Sequence, residues 1–471
     1  MARSSGGQAM IRRFSVRVTK AHLVVAAVLI AAVAFLNWPV WLRAAVGVTI
    51  VVVAMVTFDE RRTSDWLRAI VRVRRRGGPP VLSAEACGSV AMPGEDVAIR
   101  WDGDVLVGLV ALHPRRFTPT YVDVRSGRTL HDDSLSTELI NQLLSRLDVP
   151  ASADVVSAGW RVGRRAPLTV YGLYEQMIGA EPCPAMRRSW LLVRVDPAQA
   201  LEAANRRGGG IEGVARATVA AATRLAEGLS KYGVDARAAS SFADFDQLTH
   251  VDVETETWSH LRGGGFYTTV FSAPGGPDQW WSVRADRTMT RIRLSPGTAP
   301  RSTVALTTVA QLKLDPVGWT RLRGGQLAGL VGATPLTDSH WTVPVGSAGM
   351  LVGTDPDDDH TRIYLPLDTV DSVLHVADPM VTVQVALRSA ACGAEIWLPS
   401  DPAWARIATA VAASTGGPGA HLLWPTGVRT WLVSKRSAHV VQFVDHEIAT
   451  EQGRIPVRWI QPREEMGLAT R

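Results

Sequence analysis

The sequence predicts a mixed α/β (α+β) cytoplasmic region behind an N-terminal two-helix transmembrane hairpin. Three observations carry that expectation. Almost every sustained apolar stretch lies between His22 and Arg62. A strand, a long helical pattern and a second strand follow one another from Trp190 to Ala238. From Phe266 the texture changes to alternating segments punctuated by Gly-Gly-Pro-Asp and Ser-Pro-Gly.

A hydrocarbon core of about 30 Å needs about 20 helical residues at about 1.5 Å each. Pro39 lacks an amide proton and disfavours the α conformation at Trp38, so the apolar stretch divides there. One segment ends near Leu36, extended backwards by Val18 and Thr19 while Lys20 snorkels. The other runs from about Val40 to Phe58. Leu23, Leu29, Leu36, Val52 and Phe58 supply the anchor's apolar surface, and Trp38 and Trp41 fall where an interfacial aromatic belt sits. A cleavable signal would need a small-residue site after one apolar run, and Asn37-Trp38-Pro39 stands there instead. Arg12 and Arg13 precede the pair, Arg72, Arg74, Arg75 and Arg76 follow it, and the turn holds only Arg43. Positive charge on both flanks predicts both termini in the cytoplasm and a plasma-membrane location. The expected organisation is a basic tail (1–20), the hairpin (21–62), a basic juxtamembrane segment and linker (63–96), an α/β domain with a βαβ unit (97–260), and a β-rich then mixed domain (261–471).

The same charges settle what the basic balance means. Residues 1–20 carry +5, Arg43 +1 and residues 59–76 +4, against +6 for all 471 residues, which leaves −4 elsewhere. The excess therefore faces anionic lipid of the bilayer, and no nucleic acid is expected. Cys87, Cys183 and Cys392 lie far apart with no Cys-x-x-Cys pair, which argues against a zinc site or a disulfide framework.

Along the body, Val97–Leu112 reads as two strands around Asp102-Gly103, a short hairpin signal. "SLSTELINQLLSRL" reads as a helix capped by Ser134 or Ser136, and "ADVVSAGW" as a strand. Trp190–Val195 is a buried-type strand. A helix starting at Asp196-Pro197 and one bearing Ile211, Val214, Thr218, Leu225, Leu229 and Tyr232 at helical spacing lead to a strand at Val234–Ala238. This predicts a parallel βαβ pair. Phe266–Val309 predicts a meander, with Trp280 and Trp281 as strand neighbours facing opposite sides. Met350–Gly353 and Arg362–Leu367 read as strands, Val381–Ala391 as a helix or strand, and "EIWLPSDPAWARIATAVAAS" as strand then helix. No internal repeat is evident.

Few constellations could carry chemistry. Gly208 to Gly213 fits G-x-G-x-x-G with Asp235 about twenty residues on. A helix-like segment, Pro197–Arg207, separates it from the strand it should follow, so it reads as a break between helical pieces. Asp355 to His360 is the densest acidic cluster; Asp357 and Asp359 are the candidate ligands for a hard divalent cation. The alternative is a solvated turn, where Pro and Asp are favoured anyway. None of the four lysines sits in a phosphate loop, and G-x-S-x-G and H-E-x-x-H motifs do not occur. No catalytic residue and no cofactor are expected.

Several stretches point to a family. The N-terminal pair with its arginine-rich exit, "PRRFTPT" (Pro114–Thr120), "VVSAGWRVG" (Val155–Gly163), "APGGPDQWWSVRADRTMTRIR" (Ala273–Arg293) and "PVGSAGMLVG" (Pro344–Gly353) resemble EccE, a core membrane subunit of the type VII (ESX) secretion systems of mycobacteria and related actinobacteria. The resemblance spans nearly the full length. It implies a peripheral place in an inner-membrane assembly with EccB, EccC and EccD, with EccC as the motor ATPase. It supplies no catalytic residues and no small-molecule substrate. The competing class is a membrane-anchored α/β enzyme of sugar-nucleotide transferase type using Asp357 and Asp359.

Overall fold

The computed structural model describes residues 14–16, 33, 38–58, 61–62 and 97–467, apart from 180, 182–183, 333, 336–340, 377, 401–403, 417–418, 434–440, 445, 464 and 466. Leu23, Leu29, Leu36, Arg12, Arg13, Arg72, Arg74, Arg75, Arg76, Cys87 and Cys183 lie outside the described residues.

A helix, Val40–Met55, starts at the residue after Pro39, whose carbonyl accepts from the amides of Leu42 and Arg43 at 3.0 and 3.1 Å. It contains Trp41 and Val52 but stops three residues short of the expected Phe58. Val56–Phe58 is instead a strand, antiparallel to Phe14–Val16, a conformation that β-branched and aromatic residues favour. The 16 helical residues span about 24 Å, less than the hydrocarbon thickness. Among the described residues no helix is long and apolar enough to cross a membrane.

Six strands centre a twelve-stranded sheet: β1 (Val105–His113), β2 (Ala151–Trp160), β3 (Met186–Val195), β4 (Phe266–Ser272), β5 (Arg287–Leu294) and β6 (Arg301–Thr308). Their order is β1-β3-β2-β5-β6-β4, with every neighbouring pair antiparallel. In order and direction the two halves are related as by a two-fold axis normal to the sheet, between β2 and β5. The duplication is one of topology, without the sequence repeat that would announce it. Residue 260, expected to close one domain, falls between strands Thr255–Glu256 and Leu261–Gly263, which pair within this same sheet.

Five helices matter below: α1 (Thr137–Ser145), α2 (Leu168–Ile178), α3 (Gly210–Lys231), α4 (Pro277–Trp281) and α5 (Pro379–Ala391). Ser136 caps α1 by accepting from the amide of Glu138, and Asp378 caps α5 with Pro379 in its first turn. One sheet face buries Leu106, Val155, Leu191, Val193, Ile292 and Leu306 under α1, α3 and α4. Gly108 on β1 lets α3 lie close, since a Cβ there would sit 3.1 Å from that of Ala222. The opposite face buries Val107, Val156, Trp190 and Met289 with Phe245, Leu327 and Leu330.

Two expectations are corrected. The βαβ unit is split: the strand after α3, Asp235–Ala238, pairs with β1, which lies between it and β3. The two crossover strands run the same way but never touch, because the earlier hairpin strand β1 occupies the place between them. The meander is broken as well. β4 pairs with β6, not β5, because the connection from β4 to β5 contains α4 and is too long for a hairpin loop.

In the C-terminal half a five-stranded sheet joins Met350–Thr354, Thr361–Leu365 and Arg458–Trp459 to two earlier strands, Thr120–Asp123 and Thr129–His131, and together with an eight-stranded mixed sheet it shares a second core with α2 and α5. Arg388 on α5, buried, holds this half together. Its guanidinium donates to the carbonyls of Leu351 and Val352 at 2.9 Å each and of Ile460 at 2.7 Å. It also pairs with the buried carboxylate of Glu465 at 3.0 and 3.1 Å. One cation thus ties helix, strand and C-terminal segment. Removing one member of a buried pair strands the other's charge. Arg388→Ala should lower unfolding stability by roughly 3–5 kcal/mol; a loss in urea unfolding below about 1 kcal/mol, the range of an exposed pair, would contradict this role.

Candidate functional site

The stretches singled out in the sequence converge on a polar seam between the large sheet and the C-terminal half. Arg187, on β3, stands at its centre. Its amide donates to Ser347 Oγ at 2.8 Å and its Nε to the carbonyl of Gly346 at 2.7 Å. Its guanidinium lies 5.0 Å from the centre of the Trp281 ring, a cation–π contact. Ser347 Oγ returns a bond to the Arg187 carbonyl at 3.1 Å and reaches Asp368 Oδ2 at 3.4 Å. Gly346 must be glycine here, because a Cβ would meet the ring of Pro114.

Trp280 and Trp281 do not face opposite sides of a strand. Both lie on α4 and both are buried, at 0 and 6 % exposure. Pro277 opens that turn, and a helical turn puts neighbouring side chains about 100° apart, so Trp280 enters the core under the large sheet while Trp281 meets Arg187 at the seam. The Trp280 indole donates to the Pro274 carbonyl at 3.0 Å and packs edge-on to Trp341.

The second contact line of the seam is backbone on backbone. Gly163 donates its amide to the Ala391 carbonyl at 2.8 Å, and a Cβ on Gly163 would overlap Gly393. Nearby, Tyr174 Oη on α2 accepts from the Leu351 amide at 2.9 Å and lies 3.8 Å from Cys392 Sγ. Burial pushes the Cys392 thiol up to about 12, which suits the small apolar role expected of it.

Burial sets the protonation of the seam. It raises the carboxyl of Asp368 against the opposing charge of Arg188. It raises Glu181 despite hydrogen bonds from Tyr364 and the charges of Arg362 and Arg161. It lowers His131 to about 3, with Arg187 adding to the effect. A carboxyl and an imidazole shifted in opposite directions both end up favouring the neutral form.

The acidic stretch lies elsewhere, on an exposed turn between two strands. The Asp357 amide donates to Asp355 Oδ1 at 2.9 Å, Asp358 accepts from the His360 amide and Thr361 hydroxyl, and Asp359 pairs with Arg458. These bonds within the stretch close its own turn. Among the described residues no group of three or more His, Cys, Asp or Glu side chains is placed to hold a metal ion. The glycine run forms the break between Leu201–Asn205 and α3, as its sequence context indicates. Gly208, Gly209 and Gly210 all have positive φ, and Gly213 packs where a Cβ would strike the Ala204 carbonyl. Asp235 pairs with Arg237 on an outer strand.

Arg187, Asp368 and Arg388 were not singled out by sequence, and Ser347 entered only as part of the Pro344–Gly353 stretch. Their one signal is a polar residue inside an apolar run, which does not say what it meets.

An α/β scaffold whose most distinctive residues bind one another is the class that fold and seam define. Residues 183–273 match the family described as "Putative type VII ESX secretion system translocon, EccE". The chain is 40 % identical over 461 residues to the ESX-1 secretion system protein EccE1 of Mycolicibacterium smegmatis, covering 97 % of each. It is 41 % identical over 428 residues to EccE1 of Mycobacterium tuberculosis, covering 90 % of this chain and 91 % of that one. The ESX-5 protein EccE5 of Mycobacterium marinum is 26 % identical over 326 residues, 60 % of this chain and 75 % of that one. The chain belongs to the EccE family of type VII (ESX) secretion system proteins.

The raised carboxyl of Asp368 makes a signed prediction. A folded-state value above the unfolded one means the folded protein binds more protons between the two, so stability falls as pH rises through that window. Asp368→Asn keeps the shape and removes the titration. Its melting temperature relative to wild type should climb as pH is raised from 4 to 8, and a constant difference would count against a neutral Asp368.

Proposed function

We propose that the protein is a structural subunit of the inner-membrane core complex of a type VII secretion system and acts by assembly with EccB, EccC and EccD. The observation that carries this reading is where the side chains go: Arg187, Trp281, Ser347 and Asp368 are consumed in joining the two halves of the body. Family membership over nearly the whole chain supports the same role. The apolar segments of 21–62 enter the lipid bilayer as a hairpin with both termini cytoplasmic, and the arginine-rich flanks meet anionic headgroups. The exposed Val40, Trp41 and Val48 along the described helix, with Trp38 just before it, suit contact with lipid or with other membrane subunits. The body from residue 97 then holds cytosolic parts in place, without catalysis, cofactor or bound metal. The transferase reading has no comparable support, since Asp357 and Asp359 sit on an exposed turn whose oxygens are partly engaged.

Deleting residues 1–62 should abolish co-purification with EccB, EccC and EccD in mild detergent and stop secretion. Replacing Asp355, Asp357, Asp358 and Asp359 by Asn or Ser should leave secretion intact; lost secretion with a normally assembled complex would revive the enzyme reading. A reporter active only after export, fused behind Arg76, should stay silent.

A further inference from the structure

The strand Asp235–Ala238 ends the large sheet on one side, and among the described residues β1 is its one strand neighbour. Its register fixes which backbone groups remain. Ala239, the next residue, donates to the Leu109 carbonyl at 2.8 Å. Bonded positions alternate along an antiparallel pair, so Arg237 and Asp235 also turn their backbone groups to β1, and those of Ala236 and Ala238 point out of the sheet. The Ala236 carbonyl accordingly meets the Ser230 hydroxyl of α3, at 3.3 Å, where a further strand would stand. Between α3 and this edge lies an open crevice of about 390 Å³, lined in part by Glu227, Ser230 and Lys231 of the helix and by Ala236 and Ala238 of the strand. An outward-facing edge beside an open crevice is a template for another strand.

The charges select which strand. Asp235 and Arg237 are 49 and 72 % exposed and pair with each other at 3.1 Å. His113, opposite Asp235 on β1, is lowered by burial against the pull of Asp235, so it adds no charge at neutral pH. A second copy running antiparallel about a two-fold axis at Ala236 sets Asp235 of each chain opposite Arg237 of the other, an attractive cross-strand pair made twice. That axis is normal to the sheet, so both α3 helices lie antiparallel on one face with the crevices between them. Glu227 and Lys231 stand one turn apart on the flank of α3 that lines the crevice, on either side of Ser230. The same two-fold directs Glu227 of each helix toward Lys231 of the other. Charge on an edge strand ordinarily discourages stray pairing. Here its order, acid and base about a central alanine, is complementary to itself.

We propose that this edge is an interface between two copies of the chain, joined by antiparallel pairing of Asp235–Ala238 about Ala236 into one continuous sheet. A ladder this short belongs with the small, transient interfaces, so the dimer forms reversibly. The inference stands apart from assembly with EccB, EccC and EccD.

The test follows the mass of the full chain in mild detergent by analytical ultracentrifugation over a concentration series. The wild type should pass from monomer to dimer. Asp235→Arg, which by symmetry replaces two attractive pairs with two repulsive ones, should weaken dimerisation about tenfold or more. Adding Arg237→Asp to that variant inverts the order and restores complementarity, so dimerisation should return; a strand from another protein would not be recovered by that exchange. Both side chains are exposed, so the variants keep the fold. Cross-linking gives the register. In chains with Cys87 and Cys183 replaced by Ser, Asp235→Cys mixed with Arg237→Cys should yield disulfide dimers, because a non-bonded antiparallel pair has its Cα atoms about 4.5 Å apart. Asp235→Cys alone should not, since its two copies lie on the diagonal, about 7–8 Å apart. A chain that is monomeric throughout the series, an Asp235→Arg variant that dimerises like wild type, a double exchange that fails to restore the dimer, or a mixture no more cross-linked than Asp235→Cys alone each overturns the proposal and leaves the edge to a strand from elsewhere.

Discussion

A carboxylate with no exposure to water, that of Asp154 in the middle of β2, constrains the whole large sheet. Burial alone would raise its proton affinity. The bidentate bond from Arg293 at 2.6 and 2.8 Å, with the charges of Arg291 and Arg194, overcomes that and holds it below the ordinary carboxylate range. Arg293 is the residue directly opposite Asp154 across the β2–β5 pair. That pair is the line along which the two topologically equivalent halves meet. A slip of one residue would turn Asp154 toward the face covered by α1, α3 and α4, into aliphatic side chains with no cation to receive it. The register of the central pair is tied to this buried carboxylate and the arginines around it.

The same principle recurs twice more with different partners. At the seam, the Arg187 guanidinium donates to a carbonyl and lies against the face of an indole. In the C-terminal half, Arg388 combines one carboxylate with three carbonyls. Each buried cation sits where elements distant in sequence must be held in one arrangement. Apolar packing supplies most of the driving force at such junctions. It is non-directional, whereas a guanidinium with several fixed acceptors has few acceptable placements.

This inward use of polar chemistry fits a secretion-system component of the EccE family. Positive charge is concentrated beside the apolar N-terminal segments, and the rest of the chain is net acidic. The glycine-rich and acidic stretches, which in another context would cradle a phosphate or a cation, serve here to break a helix and to close a turn.

Sequence by itself determined what depends on neighbours along the chain. The Asp102-Gly103 hairpin, the Ser136 cap, the start of a helix after Pro39 and the amphipathic α3 were all legible because a few consecutive residues set the backbone there. Tertiary structure decided what depends on distant partners. It placed β1 between the crossover strands, put β4 beside β6, and set Trp280 and Trp281 on a short helix. It also brought Arg187 to Ser347 and Arg388 to Glu465. Strand pairing is the same backbone chemistry whichever strand is the neighbour, and a buried arginine looks like a surface arginine until its acceptors are present. Those choices are made by long-range packing and charge compensation, which leave no local pattern to read.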